Sequence, residues 1–257
     1  MFKKLFDRLT GKTGKSRAST LRATDPELWE AELLERVKEM SGDDPIIGAK
    51  VGGKELVQRM IAAMKTERGV HLESILGALG SLAGYACQAS VRAQARARGL
   101  DERALFYMEA KGTDGKVYFF GDELNKPLAE DPYSVWSLVA GAAQAAGCKE
   151  IPRPGEIFEH VVKTLGSPEF GLPRLPPEHP IHDTPLNYVE VFWPKIFPMI
   201  SRFCPDPAHW PILLGLAIQD IMSQGKGVFD PLLALKIVME CAVPMSKIDL
   251  EAGAWYR

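Results

Sequence analysis

The sequence predicts a mainly α-helical fold with a minor β component (α+β). The expectation is a multi-helix bundle around one long central helix rich in small residues, carrying one β-hairpin or small antiparallel sheet. Three observations predict it. Five of the thirteen aspartates precede a proline, at Asp25, Asp44, Asp131, Asp206 and Asp230, where chance would give about one. Residues 72–98 read as one unbroken helical pattern with glycine on one stripe. Residues 104–121 switch to aromatic and β-branched residues around Asp114-Gly115, a hairpin turn signal. An aspartate before proline marks a helix start because the carboxylate accepts from free first-turn amides. Proline there has no amide to leave unpaired and already holds the helical φ.

Residues 1–24 form a separable basic tail. Lys3, Lys4, Arg8, Lys12, Lys15, Arg17 and Arg22 oppose only Asp7, and Phe2, Leu5, Phe6 and Leu9 recur at helical spacing. A tail of this kind predicts weak membrane-surface contact through residues 1–17. It lacks the apolar run of a secretory leader. Residues 25–257 are expected to form a single mainly helical domain, large enough to bury a substantial core.

The first helix spans residues 26–40, capped by Asp25, with Leu28, Trp29, Leu33, Leu34 and Val37 on one side. A glycine-bearing loop is expected over 41–53, since Asp44-Pro45 leads only into glycines, and a second helix over 54–66. In the 72–98 helix, Ile75, Leu79, Leu82 and Ala86 make an apolar stripe beside Gly77, Gly80 and Gly84. Each glycine costs about 1 kcal/mol against alanine in a helix interior, so three together imply a close helix–helix contact. Gly77, Gly80 and Gly84 are thus candidate interaction residues, for packing within the chain or for a homodimer seam. Residues 74–91 carry no charge, yet their serines, Gln88 and glycines make a membrane span too polar.

A lone hairpin is marginal in water, so 104–121 needs a helix or a third strand. Residues 188–193 fit that strand; a helix opened by Thr184-Pro185 competes, with Pro194 and Pro198 against it. Further helices are expected from Asp131-Pro132 to about 147 and over 156–165, then a loop with six prolines over 166–185. The last two follow Asp206-Pro207 and Asp230-Pro231, for about seven or eight helices joined by short loops.

Composition limits the function. The chain has 257 residues, is 46% hydrophobic and 25% charged, and carries a net charge of −2. This excludes the basic excess of a general nucleic-acid binder. Cys87, Cys148, Cys204 and Cys241 lie far apart, which suits free thiols in a reducing compartment and predicts a cytoplasmic protein.

Four groupings bear on chemistry. Gly48 to Lys54 matches the Gly-x4-Gly-Lys part of a phosphate loop, but Glu55 stands where magnesium needs Ser or Thr, so no nucleotide site is assigned. His179, His182 and Asp183 offer ligands for a divalent metal, with His209 or Glu159-His160 able to join. Cys204 with His209 could make a thiolate pair, though apolar neighbours favour an inert thiol. Glu109, Asp122 and Glu123 lie among Tyr107, Tyr118, Phe119 and Phe120, an aromatic–acid mixture suited to a sugar site, a docking patch or core packing. No intact catalytic motif is present. The leading expectation is a non-enzymatic, cytosolic protein-interaction or regulatory protein that binds a protein partner or itself. The alternatives are a metal-dependent hydrolase using His179, His182 and Asp183, and a peripheral membrane-surface protein recruited by its tail.

Overall fold

The computed structural model describes residues 25–250. The basic tail and its membrane contact through residues 1–17 lie outside the described residues. Helices dominate: α1 (Pro26–Met40), α2 (Ile47–Met64) and α3 (Leu72–Ala97), then strands β1 (Met108–Lys111) and β2 (Val117–Phe120). The short α4 (Asp122–Asn125) runs into a π-helical turn, Lys126–Glu130. There follow α5 (Val135–Ala145), α6 (Gly155–Lys163), α7 (Pro185–Phe203), α8 (Trp210–Gln224) and α9 (Pro231–Lys247). A mainly helical fold with one two-stranded sheet is what the sequence predicted.

The aspartate caps form where expected at three places. Asp25 accepts from the Leu28 amide at 3.0 Å, Asp206 from Ala208 at 2.9 Å and Asp230 from Leu232 at 2.9 Å. Asp206 opens a 3-10 turn, Pro207–His209, that leads into α8. Asp131 is a correction. α5 starts at Val135 and its cap is Ser134, whose Oγ accepts from the Ser137 amide at 3.2 Å.

Asp44 is the opposite correction. The loop expected over 41–53 ends by residue 46, and α2 begins seven residues before the predicted residue 54. Gly48, Gly52 and Gly53 therefore sit inside a helix despite their poor propensity. A Cβ on Gly48 would lie 2.0 Å from the Phe203 carbonyl oxygen, and one on Gly52 2.6 Å from Leu213 Cδ1. Close approach to α7 and α8 overrides local preference here.

α3 is the axis of the molecule and is buried almost from end to end. Its glycine stripe faces α9 of the same chain. A Cβ on Gly80 would stand 2.6 Å from the Val238 carbonyl oxygen, and one on Gly84 2.0 Å from that of Ala242. A Cβ on Gly77 would meet the side chain of Ile181, in the proline-rich loop, at 3.0 Å. All three candidate interaction residues are thus covered within the chain.

Residues 188–193 are helical, which settles the open choice against a strand. α7 continues through Pro194 and Pro198. Its inward face carries Tyr188, Trp193, Ile196, Met199, Ile200 and Phe203, a helical rather than alternating pattern. Trp193 meets Tyr85 of α3 edge-on with ring centroids 5.0 Å apart. Burial of this face offsets the amide bonds that the two prolines delete.

The hairpin pairs Met108 with Phe120 and Lys111 with Val117, and Gly115 takes φ +81° in its turn. Its third partner lies beyond α9: Ile248 bridges Tyr118, and the Asp249 amide donates to the Val117 carbonyl at 2.8 Å. Asp249 also pairs with buried Arg92 at 2.9 Å and with Arg103 at 2.7 Å, and the Arg92 guanidinium lies 4.8 Å over the Phe119 ring. Lys247 is buried beside them, its Nζ 2.9 Å from Asn125 Oδ1 and over the rings of Phe120 and Phe158. The proline-rich loop is tied down by Arg174, which holds the buried Glu240 of α9 at 2.7 Å. Among the described residues, no helix is long and apolar enough to cross a membrane.

Candidate functional site

The residues singled out at the end of the proline-rich loop reach the N-terminal ends of two helices. His71 caps α3, and Thr184 caps α7 by accepting from the Asn187 amide at 3.2 Å. Between these ends lies a cavity of about 510 Å³. His71, Ser74, His182, Asp183, Asn187 and Tyr188 supply its polar wall; Met64, Val70, Val191 and Phe192 supply its apolar wall. Thr66 and Arg68 complete it from the tight turn in which Thr66 and Gly69 bridge one another.

Hydrogen bonding fixes the chemistry of the wall. His71 Nδ1 accepts from the Ser74 amide at 3.3 Å and lies 2.8 Å from Ser74 Oγ. An accepting Nδ1 puts the ring proton on Nε2, which stands 3.3 Å from Glu73 Oε2. The other oxygen of Glu73 takes His179 Nδ1 at 2.9 Å. Burial alone would push the Glu73 carboxyl up, but the His179 hydrogen bond, its own backbone amide and the two neighbouring imidazoles hold it below its usual value. Ser74 Oγ also accepts the His182 amide at 3.0 Å, and the His182 ring stacks on His71 with centroids 4.0 Å apart.

Asp183 spends both oxygens at the start of α7. It accepts from the Thr184 amide at 2.8 Å and from the side-chain amide of Asn187. The Tyr188 hydroxyl is buried near Ser74 and Asp183 but makes no well-formed hydrogen bond. Burial pushes its phenol pKa up, against the pull of the Ser74 hydroxyl and the Asp183 backbone.

No protein-family model matches the chain, and neither does any curated protein or solved structure. The assignment therefore rests on geometry.

The structure brings His182 and Asp183 to one cavity and sends His179 elsewhere. His179 lies between Glu73 and the edge of Phe229, 5.7 Å between ring centroids. The three side chains expected to share a metal are taken up separately: His182 by a ring stack, Asp183 by a helix start and His179 by a carboxylate bond. Among the described residues, no group of three histidines, cysteines or carboxylates could hold a metal ion. The sequence reading missed His71, Ser74 and Tyr188. Histidine is an unusual N-cap, so the start of α3 carried no Ser, Thr, Asp or Asn flag.

Ser74, His71 and Glu73 do form a hydroxyl–imidazole–carboxylate series, the order used to activate a nucleophile. Two facts give it a structural role. Ser74 is 2% exposed, and its Oγ is engaged by the His182 amide as well as by His71. The remaining groupings disperse. Burial pushes the Cys204 thiol up to about 12. Glu109 pairs with Arg103 at 3.4 Å and Glu123 with Lys126 at 2.6 Å, both on the surface. The glycines of the Gly48–Lys54 segment lie inside α2, so no phosphate loop forms there.

Proposed function

We propose that the protein is a non-enzymatic binding and regulatory protein that takes a small organic ligand in the cavity between α3 and α7. The observation that carries this reading is the cavity itself, in which a polar wall that includes His71, His182 and Asn187 faces an apolar one. A polar ligand head would meet Asn187 and the His182 ring, and an apolar body would lie along Val70, Val191 and Phe192. The cavity volume is within the range that suits such ligands. A reducing, cytoplasmic setting fits the four unpaired cysteines. Screening neutral aromatic amides and phenols by ligand-observed NMR tests the reading. Binders should lose about tenfold in affinity against Asn187→Ala and vanish against Val191→Trp, which fills the mouth. Binders indifferent to both variants, or an absence of binders, would reject it.

A second reading, self-association, is favoured by a different observation. Tyr107 is 90% exposed and Met108 50% exposed, beside a β1 whose outer edge pairs with nothing among the described residues. Two copies pairing antiparallel about Ala110 would set each Glu109 opposite a Lys111. Analytical ultracentrifugation should then show a dimer that Glu109→Pro, which removes an outward-facing edge amide, dissolves; a monomer at all concentrations removes this reading.

A further inference from the structure

The cavity between α3 and α7 carries one charge that nothing else among the described residues answers. Asp183, the one carboxylate on its wall, already accepts from the Thr184 amide and from the Asn187 side chain. Glu73, behind the wall, is taken by His71 and His179. Arg68 borders the cavity, and its guanidinium makes no bond among the described residues. Its sequence neighbour Glu67 does not border the cavity.

The turn that presents Arg68 is fixed by its own hydrogen bonds. Thr66 and Gly69 exchange backbone bonds at 2.9 and 3.0 Å. Thr66 Oγ1 donates to the Gly69 carbonyl at 2.9 Å and accepts from the Arg68 amide at 3.3 Å. Gly69 closes the turn at φ +103°, a backbone that other residues rarely adopt. The Arg68 side chain is exposed, so it can meet a ligand without first breaking a bond. We propose that the ligand of this cavity is an organic carboxylate whose charged end sits on Arg68. Its neutral polar end meets Asn187 and the His182 ring, and its apolar body lies along Val70, Val191 and Phe192. The inference rests on the ligand reading of the same cavity and adds a charged end to it. A planar guanidinium meets a carboxylate through two parallel N–H donors. One cation also matches a monoanion; the second charge of a phosphate monoester would go unanswered beside Asp183.

Three probes with a shared phenol end test it by isothermal titration calorimetry at pH 8: 3-(4-hydroxyphenyl)propionate, its primary amide, and 2-(4-hydroxyphenyl)ethyl phosphate. The carboxylate should bind about fivefold tighter than the amide, the upper end for an exposed ion pair, and added salt should shrink the difference. Arg68→Gln should bring the carboxylate down to the amide's affinity and leave the amide unchanged. Equal affinity for acid and amide, a preference that survives Arg68→Gln, or tighter binding of the phosphate would each overturn the proposal, while saturable binding of the amide leaves the cavity reading standing. Failure of all three to bind also overturns it; the cavity reading falls with it only if the wider screen of neutral amides and phenols finds nothing.

Discussion

Replacing Gly84 with alanine separates two physical effects of opposite sign. Helix propensity alone favours the change by about 1 kcal/mol. The new Cβ, however, would stand 2.0 Å from the Ala242 carbonyl oxygen, 2.7 Å from its carbon and 2.8 Å from its Cα. These are backbone atoms of a buried helix and no rotamer change removes them. Ordinary contact begins near 3.4 Å, so α3 and α9 must part locally by about 1.4 Å. A gap of that size forfeits at least about half of the dispersion between the facing surfaces locally, and overpacked cores lose about 1–3 kcal/mol. α3 and α9 form the most extensive helix pair among the described residues, so the upper end applies, about 3 kcal/mol net. At this chain length that lowers the melting temperature by roughly 6–12 °C. Thermal unfolding followed by circular dichroism reads it, with Gly77→Ala as control. At Gly77 the new atom meets only the Ile181 side chain at 3.0 Å, which can turn aside. A Gly84→Ala melting temperature equal to or above the parent's would refute the close-contact account of the glycine stripe.

Other consequences follow from the same structure. Lys247, desolvated and 2% exposed, has its ammonium pKa lowered from 10.5 to about 8. A folded pKa below the unfolded one means that Lys247 itself contributes stability that rises with pH between about 8 and 10.5, by roughly 3 kcal/mol. The thiols of Cys87, Cys204 and Cys241, pushed up by burial, pull stability the other way in that window, so the rise should show in chemical denaturation as the difference between the parent and Lys247→Met profiles. Glu73 has a lowered carboxyl pKa, so its contribution is present above the unfolded carboxylate value and lost as pH falls through the folded one. Glu73→Gln should flatten the acid limb of the stability profile; an unchanged limb contradicts the His71–Glu73–His179 linkage. Ser74→Ala removes the hydroxyl that joins His71 to the His182 amide and should cost about 1–2 kcal/mol in urea unfolding. It should also speed proteolysis of the proline-rich loop. Ser134→Ala should cost about 1 kcal/mol, as loss of the α5 cap, and Asp131→Ala distinctly less.

What the sequence disclosed, and what it hid, divides along physical lines. Asp25 and Asp230 were readable as helix starts because a cap acts within one turn of its own chain. The start of α2 was not readable. Gly48 and Gly52 weaken a helix locally, and their benefit comes from Phe203 and Leu213, some 150 residues away. Residues 188–193 suit a strand or a buried helix face equally, and the packing of Trp193 against Tyr85 decides between them. The hairpin's third partner is a single bridge at Ile248, too short to leave a periodic signal. In the candidate site, His182 and Asp183 stood out as chemistry-bearing residues in a loop. Their neighbours His71 and Ser74 did not, because only the fold carries the start of α3 to the proline-rich loop.

The central claim is that the ends of α3 and α7 enclose a ligand cavity. The most direct measurement is a ¹H–¹⁵N correlation spectrum of the labelled protein titrated with the aromatic amides and phenols of the NMR screen. The account predicts saturable shifts centred on the amides of His71, Ser74, His182, Asn187 and Tyr188, with the remainder of the spectrum still. Shifts scattered over the surface, or a spectrum that no member of the screen moves, would contradict it.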